Sequence, residues 1–297
     1  MPNAQGPIHE PVLLAEVLEH LEPSRGGLFV DCTVGLGGHA RALLEAGADR
    51  LIGFDRDPAA LAIAGERLAE FGERVSLVHS DYRQLRAVLD DRGAPAVSGI
   101  LADLGVSSMQ LDEARGFTFR RDEPLDMRMD TTAGPTAAEM IRDADEQTLA
   151  DVIYQFGEDR HARRIARAIV AARGTIQTTG HLADVVRRAI PRKGFSRIDP
   201  ATRTFQGIRI WVNRELDGLD AFVAAAVAAL APGGRLAVIS FHSLEDRVVK
   251  HTLRGLQAGG QVTIRTKRPV VPAEAEVERN ARARSAKLRA AERQERP

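Results

Sequence analysis

Four carboxylates and one glycine-rich turn hold most of the chemical content of this sequence. The turn is Asp31-Cys-Thr-Val-Gly35-Leu-Gly37-Gly38-His39-Ala40. Glycines at such a place let backbone N–H groups approach a ligand closely. Asp55 closes the next apolar run after Gly35, a placement that suits a carboxylate accepting from the two hydroxyls of a ribose. His79-Ser80-Asp81-Tyr82 sets an acid beside an aromatic ring, fit for an adenine edge and face. Asp103 opens Asp103-Leu-Gly-Val-Ser-Ser108, where a donor and an acceptor would meet.

Two ligands are compatible with this set. Gly35-x-Gly37-x-x-Ala40, with Asp55 downstream as its acid, also fits the dinucleotide fingerprint. Three features favour S-adenosylmethionine over NAD. Asp31 would face an amino-acid ammonium but repel a pyrophosphate. Asp81 and Tyr82 suit adenine. Asp103 lies where a methionine-like moiety would end. Four acids at four consecutive strand ends suit a cationic sulfonium ligand. Acids at strand ends also cap helices, and Asp57, directly before Pro58, reads as such a cap.

The elements that place these residues are strand–helix units. Apolar runs at Leu28–Asp31, Leu51–Asp55, Val75–Val78 and Val97–Asp103 start at nearly equal intervals. That regularity predicts βα units and a parallel sheet with helices on both faces. The next core strand, Leu236–Ser240, begins several such intervals beyond Asp103, so something is inserted. The insert reads as helical. Thr136 and Glu139 make a capping box, and stripes at Ala162/Ile165/Ala166/Ile169/Val170 and Leu182/Val185/Val186/Ala189/Ile190 have helical spacing. The expected organisation is a discontinuous core, 1–110 and 204–297, around a helical domain over 111–203. One apolar helix is expected over Phe205–Leu230. A helix over Leu244–Leu256 and a strand over Val262–Thr266 follow, and Ser285–Ala290 reads as an edge strand or a helix.

Composition sets limits. The 297 residues are 44% hydrophobic and 28% charged, values of a folded globular chain whose length suits about two domains. The longest apolar run, Ala221–Ala231, is well short of the ~20 residues that span a bilayer. No basic region precedes an apolar stretch at the N-terminus, so a cytoplasmic location is expected. The single cysteine, Cys32, excludes intramolecular disulfides and zinc ribbons. No Gly-Lys dipeptide occurs, so there is no Walker A loop, and no metal site is assigned. Net charge is zero, yet Glu158–Arg214 carries 13 basic and 4 acidic residues, and Arg265–Pro297 carries 10 and 5. An acidic body with two basic segments fits a polyanion footprint or, more plainly, solvated helix faces.

Several longer blocks occur in order: Asp31-x-Thr-x-Gly-x-Gly-Gly-His39, Phe54-Asp-Arg-Asp-Pro58, Asp103–Leu111, Arg115-Gly-Phe-Thr-Phe119, Pro124-Leu-Asp-Met-Arg-Met129, Pro200–Gln206, Ile239-Ser-Phe-His-Ser-Leu-Glu-Asp-Arg247 and Asn280–Arg289. With them the chain closely resembles, from His9 to Arg293, the ribosomal RNA small subunit methyltransferase H family, which methylates a cytidine of 16S rRNA on N4. The resemblance implies a Rossmann-like class I methyltransferase sheet in an α/β protein, with an inserted all-helical domain for RNA recognition. It implies S-adenosyl-L-methionine as cofactor and 16S rRNA in the small ribosomal subunit as partner. It implies cofactor contacts at Gly37, Gly38, His39, Asp55, Tyr82, Asp103 and Gln110; spacing alone does not select Gln110. Met109 stands where relatives usually have proline, and Asp199 where they usually have histidine.

N4 methylation needs the exocyclic amine aligned with the methyl donor and its protons held by acceptors. Transfer is expected to be direct and in line. Ring-carbon methylation would need a nucleophilic thiolate, and Cys32 reads instead as a small buried residue. Asp103, Ser107 and Ser108 are candidate acceptors, and His242 is a further one; Ser243 with Asp246 reads as a capping box. Phe117, Phe119, Met127 and Met129, with Arg120, Arg121 and Arg128, read as a lid or as interface packing. Arg160–Arg173, Arg187–Arg203 and Arg279–Arg289 are expected to hold phosphates. Three rivals remain: an NAD-dependent oxidoreductase, a non-catalytic RNA-binding protein, and a methyltransferase acting on DNA or protein. The loop Asp103-Leu-Gly-Val-Ser-Ser108 lacks the Asn/Asp-Pro-Pro-aromatic pattern of amino-directed DNA methyltransferases.

Overall fold

The computed structural model describes residues 11–94, 96–190 and 199–295. The chain opens with α1 (Leu14–Leu21) and continues through β1 (Leu28–Asp31), α2 (Gly38–Glu45), β2 (Arg50–Asp55), α3 (Pro58–Leu68), β3 (Val75–His79), α4 (Leu85–Asp91) and β4 (Val97–Asp103). Six helices follow: α5 (Ser108–Asp112), α6 (Ala137–Asp143), α7 (Glu146–Gln155), α8 (Ala162–Ala172), α9 (Thr179–Ala189) and α10 (Ala201–Asn213). The chain ends with α11 (Leu219–Ala229), β5 (Leu230–Ser240), α12 (Ser243–Ala258), β6 (Val262–Ile264), α13 (Glu274–Arg279) and β7 (Lys287–Arg293).

The strands form one sheet in the order β3-β2-β1-β4-β5-β7-β6. β1 to β5 are parallel, and β7 runs antiparallel between β5 and β6. The C-terminal segment is therefore an internal strand, neither an edge nor a helix. It is covered on both faces: Leu288 to Ala291 are all buried. The order reverses at β1, which pairs with both β2 and β4. Open α/β sheets bind ligands at the carboxyl ends of the strands flanking such a reversal. Asp31 and Asp103 are the last residues of those two strands.

The first four strands follow the sequence closely because the apolar runs of the central ones are buried on both sides, whereas β5 begins at Leu230, before the expected Leu236. Leu28–Asp31 is buried throughout. The α3 start also follows: Asp57 accepts from the Ala59 amide at 3.0 Å, with Pro58 in the first turn. Leu13, Val17, Leu21, Leu43, Leu51 and Leu101 lie in the core of this part of the chain.

Two compact units result. One comprises residues 1–105 and 218–297, the other 106–217. The second unit thus takes in Gln110 and the whole of α10; boundaries at 110 and 204 would leave Gln110 in the core and divide α10. The single helix expected over Phe205–Leu230 is two helices. Arg214 (φ 50°) and Gly218 (φ 66°) adopt left-handed backbone between α10 and α11, and the boundary between units falls there. The break falls in Asn213-Arg-Glu-Leu-Asp-Gly218, a polar run ending in glycine that interrupts both the apolar pattern and the helix hydrogen-bond ladder.

The second unit has its own core. Thr136 and Glu139 cap α6 reciprocally, as the spacing predicts. Ala162, Ile165, Ala166 and Ile169 of α8 are buried with Leu182, Val186 and Ala189 of α9; Val170, Val185 and Ile190 pack half-buried against them. Among the described residues, no helix is long and apolar enough to cross a membrane.

Candidate cofactor site

The glycine turn is built from β1 outward. Gly35 and Gly37 have φ of 50° and 83°, left-handed values that favour glycine. A side chain at Gly35 would meet only the Thr33 carbonyl, at 3.8 Å, so the turn is open there. At Gly38 a Cβ would fall 2.6 Å from the Pro11 ring; that glycine is required by packing as well as by any ligand. The Gly35 amide donates to Asp55 Oδ2 at 2.8 Å, and the Asp57 amide donates to Oδ1 at 2.9 Å. Asp55 is thereby fixed at the turn, each oxygen keeping acceptor capacity. Burial pushes its carboxyl above the ordinary value despite those two donors.

Asp31 and Asp103 are tied through Thr33. The Thr33 amide donates to Asp31 Oδ1 at 3.1 Å, and the Asp103 amide donates to the Thr33 hydroxyl at 2.7 Å. Asp31 is 1% exposed. Its Oδ2, like Oδ1 of Asp103, is buried with no hydrogen-bond partner among the described residues. Burial raises the Asp31 carboxyl to about 7, with the charge of Asp55 adding to the effect. Burial, and then the charges of Asp31 and Glu245, raise Asp103 well above its ordinary value. An orphaned, buried carboxylate oxygen is costly unless something completes it. A cation would do so, which fits the sulfonium and ammonium of S-adenosylmethionine and does not fit a pyrophosphate.

His39, buried on α2, places Nε2 at 3.0 Å from the Val12 carbonyl and Nδ1 at 3.8 Å from Asp103 Oδ2. Asp81 receives Arg83 at 2.8 and 2.6 Å and also pairs with Arg56. Burial pushes its carboxyl up, but these guanidinium groups override that and hold it well below the usual range. Asp81 is therefore neutralised within the protein. Tyr82 packs its ring on Phe222 with centroids 4.6 Å apart at 57°. Gln110 lies in the second unit. Its Oε1 accepts the Ser107 amide at 2.9 Å while Ser107 Oγ accepts the Gln110 amide at 3.3 Å. The signal that could have found it is local: Ser-x-x-Gln is the spacing of a capping box. The side chain of Ser108 lies outside those described.

α12 corrects another expectation. The cap is not Ser243 with Asp246 but His242 with Glu245. The Glu245 amide donates to His242 Nδ1 at 3.4 Å, and Glu245 Oε2 accepts from the Phe241 amide at 2.9 Å. Asp246 instead receives Arg289 of β7 at 2.7 Å. Arg289 is thus a buried structural cation, not a phosphate contact. Glu245 is 1% exposed and acts electrostatically on both Tyr82 and Asp103; no spacing in the sequence singles it out.

Of the residues considered for a lid, the two methionines lie in the second unit's interior, Phe117, Phe119 and Arg128 are half-buried, and Arg120 and Arg121 are exposed. Met127 and Met129 are buried. Phe119 meets Phe205 edge-on at 4.7 Å. Arg128 is held by Asp126 at 2.7 Å and Arg121 by Glu123 at 3.0 Å. Of the basic stretches, α8 presents Arg163, Arg164 and Arg167 away from its buried stripe, all three exposed. On α9, Arg187 is paired with Asp199 at 2.8 Å and Asp184 at 3.2 Å. Arg192, Lys193 and Arg197 lie outside the described residues.

Comparison with known proteins adds an independent line. Residues 7–294 match the MraW methylase family. A ribosomal RNA small subunit methyltransferase H from Nitrobacter winogradskyi is 53% identical over 302 aligned positions, covering 96% of this chain and 90% of that protein. The protein of the same name from Sorangium cellulosum is 51% identical, covering 98% and 93%, and that from Geobacter sulfurreducens is 51% identical, covering 96% and 98%.

Proposed function

The chain belongs to the MraW methylase family, and from that membership we propose that it transfers the methyl group of S-adenosylmethionine to N4 of a cytidine in the decoding region of 16S rRNA, in the cytoplasm. Its α/β sheet is the Rossmann-like class I methyltransferase sheet, with an all-helical unit inserted after β4. The observation that carries the cofactor reading is the pair of buried carboxylate oxygens on Asp31 and Asp103, at the sheet's reversal point, that have no hydrogen-bond partner among the described residues.

When bound, the cofactor supplies an electrophilic methyl group on a positively charged sulfur. The protein's part is to hold and to orient. Asp55, fixed by two backbone amides, is the acceptor proposed for the ribose hydroxyls. Gly37, Gly38 and His39 form the turn and first helical residues that close over the ligand. Tyr82, braced by Phe222, supports the adenine ring. Asp31 and Asp103 hold the cationic end, and Gln110 is a further proposed contact.

The nitrogen target is supported by the state of the one thiol. Cys32 is the only cysteine in the chain. It is 2% exposed, and burial followed by the Asp31 charge pushes its thiol well above the ordinary value. A thiol so placed is not a thiolate nucleophile at neutral pH. Amine methylation needs none: it needs alignment and an acceptor for the departing proton. His242 caps α12 with Nδ1, which accepts the Glu245 amide at 3.4 Å, while Nε2 lies 3.2 Å from Glu245 Oε1 as an ion-pair contact; Asp103 is taken as the acceptor of the departing proton. The exposed arginines of α8 are assigned to RNA phosphates, which supports the inserted unit as the RNA-recognition domain; the small ribosomal subunit as partner is proposed from the names of the relatives.

The test is transfer of labelled methyl to small ribosomal subunits from a strain lacking the modification, followed by nucleoside mass analysis. Label in N4-methylcytidine is expected. Label in a ring-carbon-methylated pyrimidine, or none at all, would refute the proposal.

A further inference from the structure

We infer that the unliganded protein keeps a proton on the buried acids Asp31 and Asp103, and that seating a cationic ligand against them expels it to solvent. The inference rests on the reading of the crevice as the S-adenosylmethionine site and goes beyond it by assigning a protonation change to binding.

The surroundings of each carboxyl point this way. Asp31 receives the Thr33 amide on Oδ1, and the Thr33 side chain also favours its ionised form, but burial outweighs both; Oδ2 has no hydrogen-bond partner among the described residues. Asp55 of β2 acts on it with a like charge, and the neighbouring Cys32 thiol offers no cation. Asp103 faces the like charges of Asp31 on β1 and Glu245 on α12. Among the described residues, His39 of α2 also lies near it. His39 Nε2 lies against the Val12 carbonyl, which only accepts, so Nε2 carries the ring proton in the neutral form. Nδ1 then turns a lone pair toward Asp103 Oδ2 at 3.8 Å. Two lone pairs facing each other, beside two further carboxylates, is an arrangement that a proton relieves. Arg56, next to Asp55 in the chain, is already committed to Asp81.

Buried like charges cannot all ionise, so the first proton is retained by the pair. A bound cation reverses this balance. It favours the ionised form of both acids, the carboxyl O–H bond breaks, the proton passes to the buffer, and the carboxylate pairs with the ligand's positive end. Cofactor affinity then depends on pH through this pair, and rises from acid toward neutral pH.

Calorimetric titration of the full chain with S-adenosylmethionine, at one pH in phosphate and in Tris, counts the protons directly. The two buffers differ in ionisation heat, so a difference in observed heat measures release. Roughly one proton per bound cofactor is expected near neutral pH, with affinity rising up to about tenfold per pH unit on the acid side. Asp31→Asn keeps an acceptor for the Thr33 amide and is expected to lose at least half of the release. Wild-type titrations carry the test even if that variant folds poorly. Tight binding with the same proton-corrected heat in both buffers, and hence no release, overturns the inference while leaving the cofactor reading intact. Absence of binding in either buffer overturns the cofactor reading itself.

Discussion

His242 and Glu245 close on each other at the start of α12: the Glu245 amide donates to Nδ1 at 3.4 Å, and Nε2 lies 3.2 Å from Oε1. Both ring nitrogens are thereby engaged, one as acceptor from a backbone donor and one against a carboxylate. That makes His242 a cap and an anchor for Glu245, not a general base. His242→Asn, which can also cap, is expected to retain single-turnover methyl transfer within a few-fold of wild type. His242→Ala should cost about 1 kcal/mol of stability, read by denaturant unfolding. A loss of about a hundredfold or more in the Asn variant, at unchanged cofactor affinity, would restore the general-base role.

The raised Asp31 carboxyl makes a signed prediction about stability. Its folded value, about 7, lies above the ordinary 3.8, so the native state binds this proton more tightly than the unfolded chain. Stability from this group is greatest in acid, falls as pH rises between those two values, and is level above. Asp31→Asn should therefore be nearly neutral at about pH 4 and stabilising at about pH 8, by an amount on the order of a few kcal/mol. Thermal unfolding of both proteins across that range checks it. A variant less stable than wild type at the alkaline end would contradict it.

Asp55 joins the glycine turn to β2 through Gly35 and the start of α3 through Asp57. Asp55→Ala orphans both amides and removes the ribose acceptor. Cofactor affinity is expected to fall by roughly a hundredfold, about 3 kcal/mol, with RNA affinity unchanged. Equal weakening of both affinities would mean that the chain had unfolded, and would count against a local role in ribose binding.

Much of this is legible in the sequence, for identifiable reasons. Strand ends at Asp31, Asp55 and Asp103 are marked by apolar runs that stop at an acid, and the Asp57-Pro58 cap needs only its two neighbours. What is not legible depends on partners distant in sequence. Arg289 is basic on paper, but its ion pair with Asp246, 43 residues away, makes it structural. Phe222 becomes the brace of Tyr82 only once α11 is folded. The break between α10 and α11 falls in Asn213-Arg-Glu-Leu-Asp-Gly218, where two residues adopt left-handed backbone; a polar run ending in glycine is a helix-stop signal, and a single helix read through it passes that signal over. The His242–Glu245 cap is local, but histidine is an unusual cap and the adjacent Ser243–Asp246 spacing has the commoner residue types.

The basic segments separate into two kinds. Arg163 and Arg164 are exposed on α8, whereas Arg289 is 7% exposed. Charge reversal at Arg163 and Arg164 should weaken RNA binding and reduce the slope of log affinity against log salt by about 0.7–0.9 for each phosphate no longer neutralised. Arg289→Ala should leave that slope alone and cost about 3 kcal/mol of stability, because it strands the Asp246 carboxylate. Filter binding over a salt series, with a melting curve for each variant, distinguishes them.

A crystal structure of the protein grown with S-adenosylmethionine bears most directly on the whole account. The ligand is expected at the carboxyl ends of β1 and β4, its ribose hydroxyls on Asp55 and its cationic end against Oδ2 of Asp31 and Oδ1 of Asp103. A ligand bound elsewhere, or a crevice that admits NAD in preference, would contradict it.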